Sequence, residues 1–490
     1  MPLSPLALPT AALALLSAAP AKAPAATPAA QELDPRVASR LMGPALTEGH
    51  AWALLTELTD TIGPRLSGSA GAEAAVQWAR ARLEADGVKV RLEPVQAPHW
   101  VRGVETGEVL AATGRRAQTL HLTALGGSVP TEKEGLTAEV VEVHSFEELT
   151  ALGQGARGKI VLFNHDMSTA EGYGRASALR TRGASEAAKL GAVGMLVRSL
   201  ATASLRTPHT GAMRYEEGVA KVPAAAVTTE DAALLHRLLA ANPKEPVRVK
   251  MVLGCQTLPD VPSSNVVAEI RGRERPDEVV VLGAHLDSWD LGTGAHDDGA
   301  GVVMAMDTAR LLAHLERPPR RTVRIVLFMN EENGLAGGRA YAAAHAGELA
   351  KHVAGLESDA GGGRPLGVTV KAGPGADALM RRLLPPLQAV GAAQLLEGEA
   401  GGADLSPMAS AQVPFAGVRV DTSHYFDVHH TAADTLDKVD PQALAQSTAA
   451  FAWVTYALAE MRDVLPRPEA TERTAGAPAP TAPASKPAAH

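Results

Sequence analysis

Apolar positions along this chain fall into two rhythms, short unbroken runs that suit buried strands and longer stretches with helical spacing. The clearest example spans residues 279 to 332. The runs Val-Val-Val-Leu-Gly-Ala at 279–284 and Val-Arg-Ile-Val-Leu-Phe-Met at 323–329 are rich in β-branched residues and short enough for buried strands. Each stops at a charged cluster, His285-Leu-Asp287 after the first and Asn330-Glu331-Glu332 after the second. Between them, Val302, Met306, Ala309 and Leu312 recur at helical spacing within 299–315. A helix there supplies the crossover that two parallel neighbours require. Because ligands of open α/β sheets gather at the carboxyl ends of strands, His285, Asp287, Asp297, Glu331 and Glu332 are expected on one rim.

The same reading extends in both directions. Helical spacing over 49–58 and 70–86 flanks a Gly/Pro turn at 62–69, with Ser69 as the N-cap of the second helix, and 88–95 alternates as a strand. From 120 to 261 the texture changes to short strands at 138–143, 159–163, 194–197 and 222–227, with helices before Gly191 and over 231–240. His165, His209 and His236 are scattered there without ligand spacing and read as structural histidines, so this stretch is expected to be a separate, non-catalytic insert. Strands follow at 353–357, 368–372 and 415–420, and Asp440-Pro441 opens a last helix as N-cap and first-turn proline. The expected class is α/β, a mostly parallel sheet flanked by helices. Its parts are 46–119 and 262–465, interrupted by the 120–261 insert.

The ends read differently. Residues 3–21 are apolar and lead to Ala21-Lys22-Ala23, which resembles a secretory leader with its cleavage site, although no basic residue precedes Lys22. Export, to the outside or the periplasm, is expected on that pattern, with 1–23 as signal segment and 24–45 as a Pro/Ala-rich linker. The run is too short and too proline-interrupted for a membrane span, and no other stretch qualifies. Residues 466–490 are Pro/Ala/Thr-rich without apolar period and read as a disordered tail.

Composition narrows the chemistry. A chain of 490 residues with 46% hydrophobic content can bury a large core. A net charge of -8 without a dense Lys/Arg block leaves no electrostatic footprint for nucleic acid. Cys255 is the only cysteine, which rules out an intramolecular disulfide and a thiolate zinc site. Metal binding must then use histidine and carboxylates, and five such groups stand at strand ends: His285, Asp297, Glu332, Asp359 and His430. They suit two zinc ions that share one carboxylate. Asp297, in the Gly-rich loop, is the expected bridge, with His285 and Asp359 on one ion and Glu332 and His430 on the other. Glu331 is then the general base, and Asp287 is expected to accept the other N–H of the His285 imidazole. Asp434 is a weaker candidate for the same service to His430. Two alternatives stay open at this stage, Asp298 in place of Asp297 and His429 in place of His430.

With those residues in hand, the chain resembles the co-catalytic dizinc aminopeptidase and glutamate carboxypeptidase family, in particular its carboxypeptidase Q-like branch. The motifs that carry the resemblance are G-A-H-L-D-S-W-D, G-A-H-D-D-G-A-G, N-E-E-N-G, E-S-D-A-G and H-H-T-A-A-D-T, supported by T-I-G-P-R-L-S-G-S. It covers nearly all of 46–465. The resemblance implies the same ligand set and the same base, Glu331, and it makes the insert a protease-associated domain that shapes substrate access. It also implies peptide substrates and a homodimer. Several relatives steady the oxyanion with a tyrosine near the last ligand, whereas here His429 holds that position as a possible oxyanion donor. Asp404, in G-G-A-D-L-S-P, matches a family loop near the substrate. The rivals are a single-zinc enzyme of the glutaminyl cyclase kind and a non-catalytic binding ectodomain on the same fold.

Overall fold

The computed structural model describes residues 33–167, 172–241 and 244–469. The expected signal segment at 1–23 and most of the expected tail lie outside the described residues. The strands are β1 Lys89–Val101, β2 Glu105–Val109, β3 Gln118–Leu120, β4 Leu122–Ala124, β5 Leu136–Val143, β6 Ile160–Phe163, β7 Gly194–Arg198, β8 Ala224–Val227, β9 Arg248–Leu253, β10 Gln256–Ile270, β11 Arg275–His285, β12 Arg321–Phe328, β13 His352–Glu357, β14 Pro365–Lys371 and β15 Phe415–Val420. Among the described residues they form a seven-stranded sheet, in the order β1-β10-β12-β11-β13-β15-β14, and an eight-stranded sheet, in the order β3-β2-β9-β5-β6-β7-β8-β4.

In the first sheet β12, β11, β13 and β15 run parallel, while β1, β10 and β14 join antiparallel. The sheet is therefore mixed rather than mostly parallel. Apolar runs report burial but not direction, and only the central block, covered on both faces, has the continuous apolar character of parallel strands. β12 is buried along its whole length. The Ala300–Ala313 helix that joins β11 to β12 buries every residue from Ala300 to Ala309, as the crossover reading requires.

β1 and β10 make a long antiparallel ribbon in which Lys89 faces Glu269 and Val101 faces Gln256. Along it the chain leaves the first sheet, builds the second between Glu105 and Leu253, and returns. The boundaries expected at 120 and 261 shift accordingly, since β2 and β3 belong to the second sheet and Gln256 onward to the first. β10 escapes a sequence reading because Pro259 and Pro262 sit inside it. They are tolerated because that half pairs with β1 alone, and only Val266–Ile270 also pairs with β12.

The expected linker at 24–45 ends in a helix, Pro35–Thr47, capped by Asp34 and opened by proline at its first position. It buries Ala38, Leu41, Met42 and Ala45, a helical stripe that joins the core around Trp453 of the Pro441–Glu460 helix. That last helix starts as expected, with Asp440 accepting from the Gln442 amide at 2.8 Å. Residues 466–469 are docked rather than free, because the Arg467 guanidinium donates to the carbonyls of Ala411, Leu349 and His352. Among the described residues no helix is long and apolar enough to cross a membrane.

Candidate metal centre

The five expected ligands stand on one rim of the first sheet. His285 is the last residue of β11, Asp297 lies in the turn that enters the Ala300–Ala313 helix, Glu332 follows β12 and Asp359 follows β13. His430 follows the short helix Tyr425–Val428 beyond β15. The structure brings them into two overlapping triads, His285–Asp297–Asp359 and Asp297–Glu332–His430, in each of which the ligand atoms lie within 4.8 Å of one another. His285 Nε2 is 3.1 Å from Asp297 Oδ1 and 3.4 Å from Asp359 Oδ1. His430 Nε2 is 3.1 Å from Asp297 Oδ2 and 3.0 Å from Glu332 Oε2. Asp297 thus turns one oxygen to each triad, the arrangement a bridging carboxylate needs.

Neighbouring groups fix these side chains, and two of them differ from the expectation. His285 Nδ1 faces the backbone carbonyl of Asp287 at 3.0 Å, whereas the Asp287 carboxylate is 3.9 Å away. That carboxylate accepts instead from the amides of Asn330 and Glu331, at 2.7 and 3.0 Å, and from Ser67 Oγ at 2.9 Å. The chain turns after β11, so the carbonyl orients the imidazole and the side chain clamps the loop that carries Glu331 and Glu332. Asp434 likewise serves Asp297 rather than His430, accepting from the His296 and Asp297 amides at 2.8 and 3.1 Å. Asp298, the alternative to Asp297, spends its oxygens instead on the amides of Gly301 and His285, at 3.0 and 3.1 Å.

Arg65, in the T-I-G-P-R-L-S-G-S segment read as a turn and as a supporting motif, is fully buried. Its guanidinium donates to the carbonyls of Leu286, Thr293 and Gly294, which ties the end of β11 to the loop before Asp297. The second sheet also reaches the rim. His209, expected to be a structural histidine of the insert, is buried against the rings of His429 and His430. His429 Nε2 lies 3.2 Å from Asp297 Oδ2. Asp404 is buried beside Glu357, its amide donating to Glu357 Oε1 at 3.2 Å.

Burial raises the proton affinity of this crowd of carboxylates. It pushes Glu332 and Asp434 up to about 7. Glu331 stands well above the ordinary range, through burial first and then the charges of Asp359, Glu332 and Asp287, which outweigh His285. Asp297 goes the other way, since His429, His285 and His430 overcome its burial and hold it far below. Glu332 Oε1 is buried and receives no hydrogen bond from any described residue. An orphaned carboxylate oxygen among imidazoles and carboxylates suits divalent cations, and this nitrogen and oxygen donor set without thiolate suits zinc.

Known proteins are similar to this chain in sequence and fold. Residues 265–455 match the profile of peptidase family M28. Human carboxypeptidase Q is 40% identical over 422 residues, 86% of this chain and 87% of that protein. The crystal structure of a peptidase M28 precursor from Shewanella amazonensis is 38% identical and superposes with a TM-score of 0.85 over 89% of this chain and 99% of that one. A zinc aminopeptidase from Bacillus subtilis, 20% identical, shares the fold at a TM-score of 0.62, over 84% of this chain and 94% of its own. On the strength of the human relative's identity and coverage, the chain belongs to peptidase family M28 and is carboxypeptidase Q-like.

Proposed function

We propose that the protein is an exported dizinc exopeptidase that hydrolyses dipeptides or short peptides with a free amino terminus. The observation that carries this reading is the pair of triads meeting at Asp297. His285, Asp297 and Asp359 would hold one zinc ion, and Asp297, Glu332 and His430 the other. When bound, the two ions acidify water toward neutral pH and polarise the scissile carbonyl. Glu331 removes a proton from the attacking water and returns it to the leaving amine. Its raised proton affinity suits a group that must keep that proton between the two steps. Asp287 holds the Glu331 amide and so aims the base.

The match to carboxypeptidase Q supports a peptide as substrate. The second sheet is read as a protease-associated insert that walls the rim, and its contacts with His429 and His430 support that role. A homodimer is part of the same reading. Glu331→Gln is the decisive variant, expected to keep close to two zinc ions per chain and to lose several orders of magnitude in turnover of a dipeptide panel. Unchanged turnover removes Glu331 as base, and a single tightly held zinc in the wild type favours a cyclase-like enzyme instead.

A further inference from the structure

One tyrosine at the rim has no part in the mechanism above. Tyr425 opens the short helix Tyr425–Val428, and the His429 amide donates to its carbonyl at 2.9 Å, so the two side chains stand one turn apart on one face. Three segments that carry expected ligands close around its ring. The His429 ring, next to His430, is 4.8 Å away between centroids. The His296 ring, next to Asp297, meets it edge to face at 6.3 Å. Gly361, two residues past Asp359, lies so close that a Cβ there would come within 2.9 Å of Tyr425 Cδ2. The tyrosine is 8% exposed, so these neighbours fix the direction of its ring.

The hydroxyl at the end of that ring lies in the field of both triads. Burial first, and then the charges of Asp297, Asp359, Asp298 and Glu332, push the phenol well above its ordinary range, with the bridging carboxylate the strongest of the four. None of them takes its hydrogen bond. Among the described residues the hydroxyl has no partner, although its oxygen is not sealed from solvent. A phenol fixed by its ring and left with a free O–H is a preorganised donor. The other groups at the rim are already engaged. His429, the oxyanion donor expected from the sequence, directs Nε2 to Asp297 Oδ2 at 3.2 Å, so that nitrogen is committed to a carboxylate. The five expected ligands would face the ions and Glu331 the water, whereas a phenol stays protonated at neutral pH and can donate.

We propose that Tyr425 is a further catalytic residue, its O–H donating to the scissile carbonyl oxygen as negative charge develops there. This rests on the peptidase reading. Water adds to the carbonyl carbon, the carbonyl oxygen takes up the electron pair, and the C–N bond breaks when that pair returns. Glu331 carries the water proton to the leaving nitrogen, and Tyr425 keeps its own proton throughout, so no other reactant is needed.

The test uses the zinc-loaded full chain, a dipeptide substrate and a peptide phosphinate whose tetrahedral centre mimics the charged oxygen. Tyr425→Phe keeps the ring and its packing and removes only the donor. It should lower kcat about 10²-fold with KM and zinc content unchanged. Phosphinate affinity should fall in parallel, while inhibition by the product amino acids stays the same. Unchanged kcat in Tyr425→Phe overturns the proposal. A raised KM with kcat intact, or equal losses of phosphinate and product affinity, also overturns it, because the hydroxyl would then hold substrate and transition state alike. Loss of zinc from Tyr425→Phe overturns it too, since the tyrosine would then support the ligands rather than touch the substrate. Failure of the peptidase reading looks different, because the wild type would then hydrolyse no peptide and bind no phosphinate.

Discussion

The two triads share Asp297 but are held by different parts of the molecule. The first is built within one sheet: His285 ends β11, its Nδ1 faces the Asp287 carbonyl at 3.0 Å, and the Ser358 amide before Asp359 donates to Gly283 of β11 at 2.9 Å. The second depends on the other sheet. His430 stands at φ 57°, a left-handed conformation that is strained for histidine. The loop after β7 holds it there, with the Thr210 amide on the His430 carbonyl at 2.9 Å and the Thr210 carbonyl 3.4 Å from His430 Nδ1. Nearby, Thr202 ties down the same turn through the Phe426 carbonyl at 3.1 Å and the Asp427 carboxylate at 2.6 Å. One triad is thus set within one sheet, and the other is assembled from two sheets that must stay in register.

The largest effects should come from the residues that define this contrast. Asp297→Ala removes an oxygen from both triads and is expected to abolish zinc binding and turnover together. Asp359→Asn and His430→Asn should each release one ion and leave the other, and mass spectrometry of the intact protein under non-denaturing conditions counts them. Loss of both ions from either single-triad variant would show that the two positions fill only as a pair. That outcome breaks the comparison.

Gly211→Ala probes the second unit without touching a ligand. The new Cβ would collide with the Arg180 guanidinium at a backbone conformation that L residues rarely adopt, and the adjacent Thr210 would move with the loop. Partners that orient ligands are worth about 10- to 100-fold in metal affinity, so the Glu332–His430 position should weaken by that factor while the His285–Asp359 position holds. Competition titrations with a chromophoric chelator resolve the two. Equal weakening of both positions would mean that the insert loop acts on the whole rim.

Much of the candidate site was legible in the sequence, and for a local reason. His285, Glu332 and Asp359 each stand at or just past the end of a short apolar run, so strand assignment alone places them at carboxyl ends. Local rules also fail locally. Spacing put the Asp287 side chain near the His285 ring, yet the chain turns so that its carbonyl takes that place. The helix Pro35–Thr47 was hidden in Ala/Pro-rich surroundings, although Asp34-Pro35 carried its start signal. The contributions of Thr210 and His209 leave no sequence pattern at all, because Thr210 meets His430 across 220 residues of chain.

A smaller effect separates stability from the site. Burial pushes His352, at the start of β13, down to about 4, while Tyr341 and the Glu348 carbonyl surround its two nitrogens. The unfolded chain binds a proton here near pH 6.5 and the folded one only near pH 4, so stability is full above 6.5 and falls as the pH drops through that window. The loss is on the order of 3 kcal/mol at most by pH 4. His352→Gln should flatten that part of the curve in denaturant titrations and leave zinc content at pH 7 unchanged. A curve as steep as that of the wild type would assign the acid sensitivity to the carboxylates of the rim instead.

The smallest expected effect sharpens the contrast from the side of the first sheet. Ser69 caps the Ala70–Ala85 helix, its Oγ accepting from the Ala72 amide at 3.1 Å, as the sequence led one to expect. That helix buries Ala75, Val76, Ala79 and Leu83 in the core shared with β10 and the Ala300–Ala313 helix. Ser69→Ala leaves one first-turn amide without its acceptor and should cost about 1 kcal/mol of global stability. Because the first triad rests on strand ends rather than on this helix, both zinc affinities should be untouched. A selective weakening of the His285–Asp359 position would instead mean that helix docking, and not the sheet alone, sets the geometry of its rim.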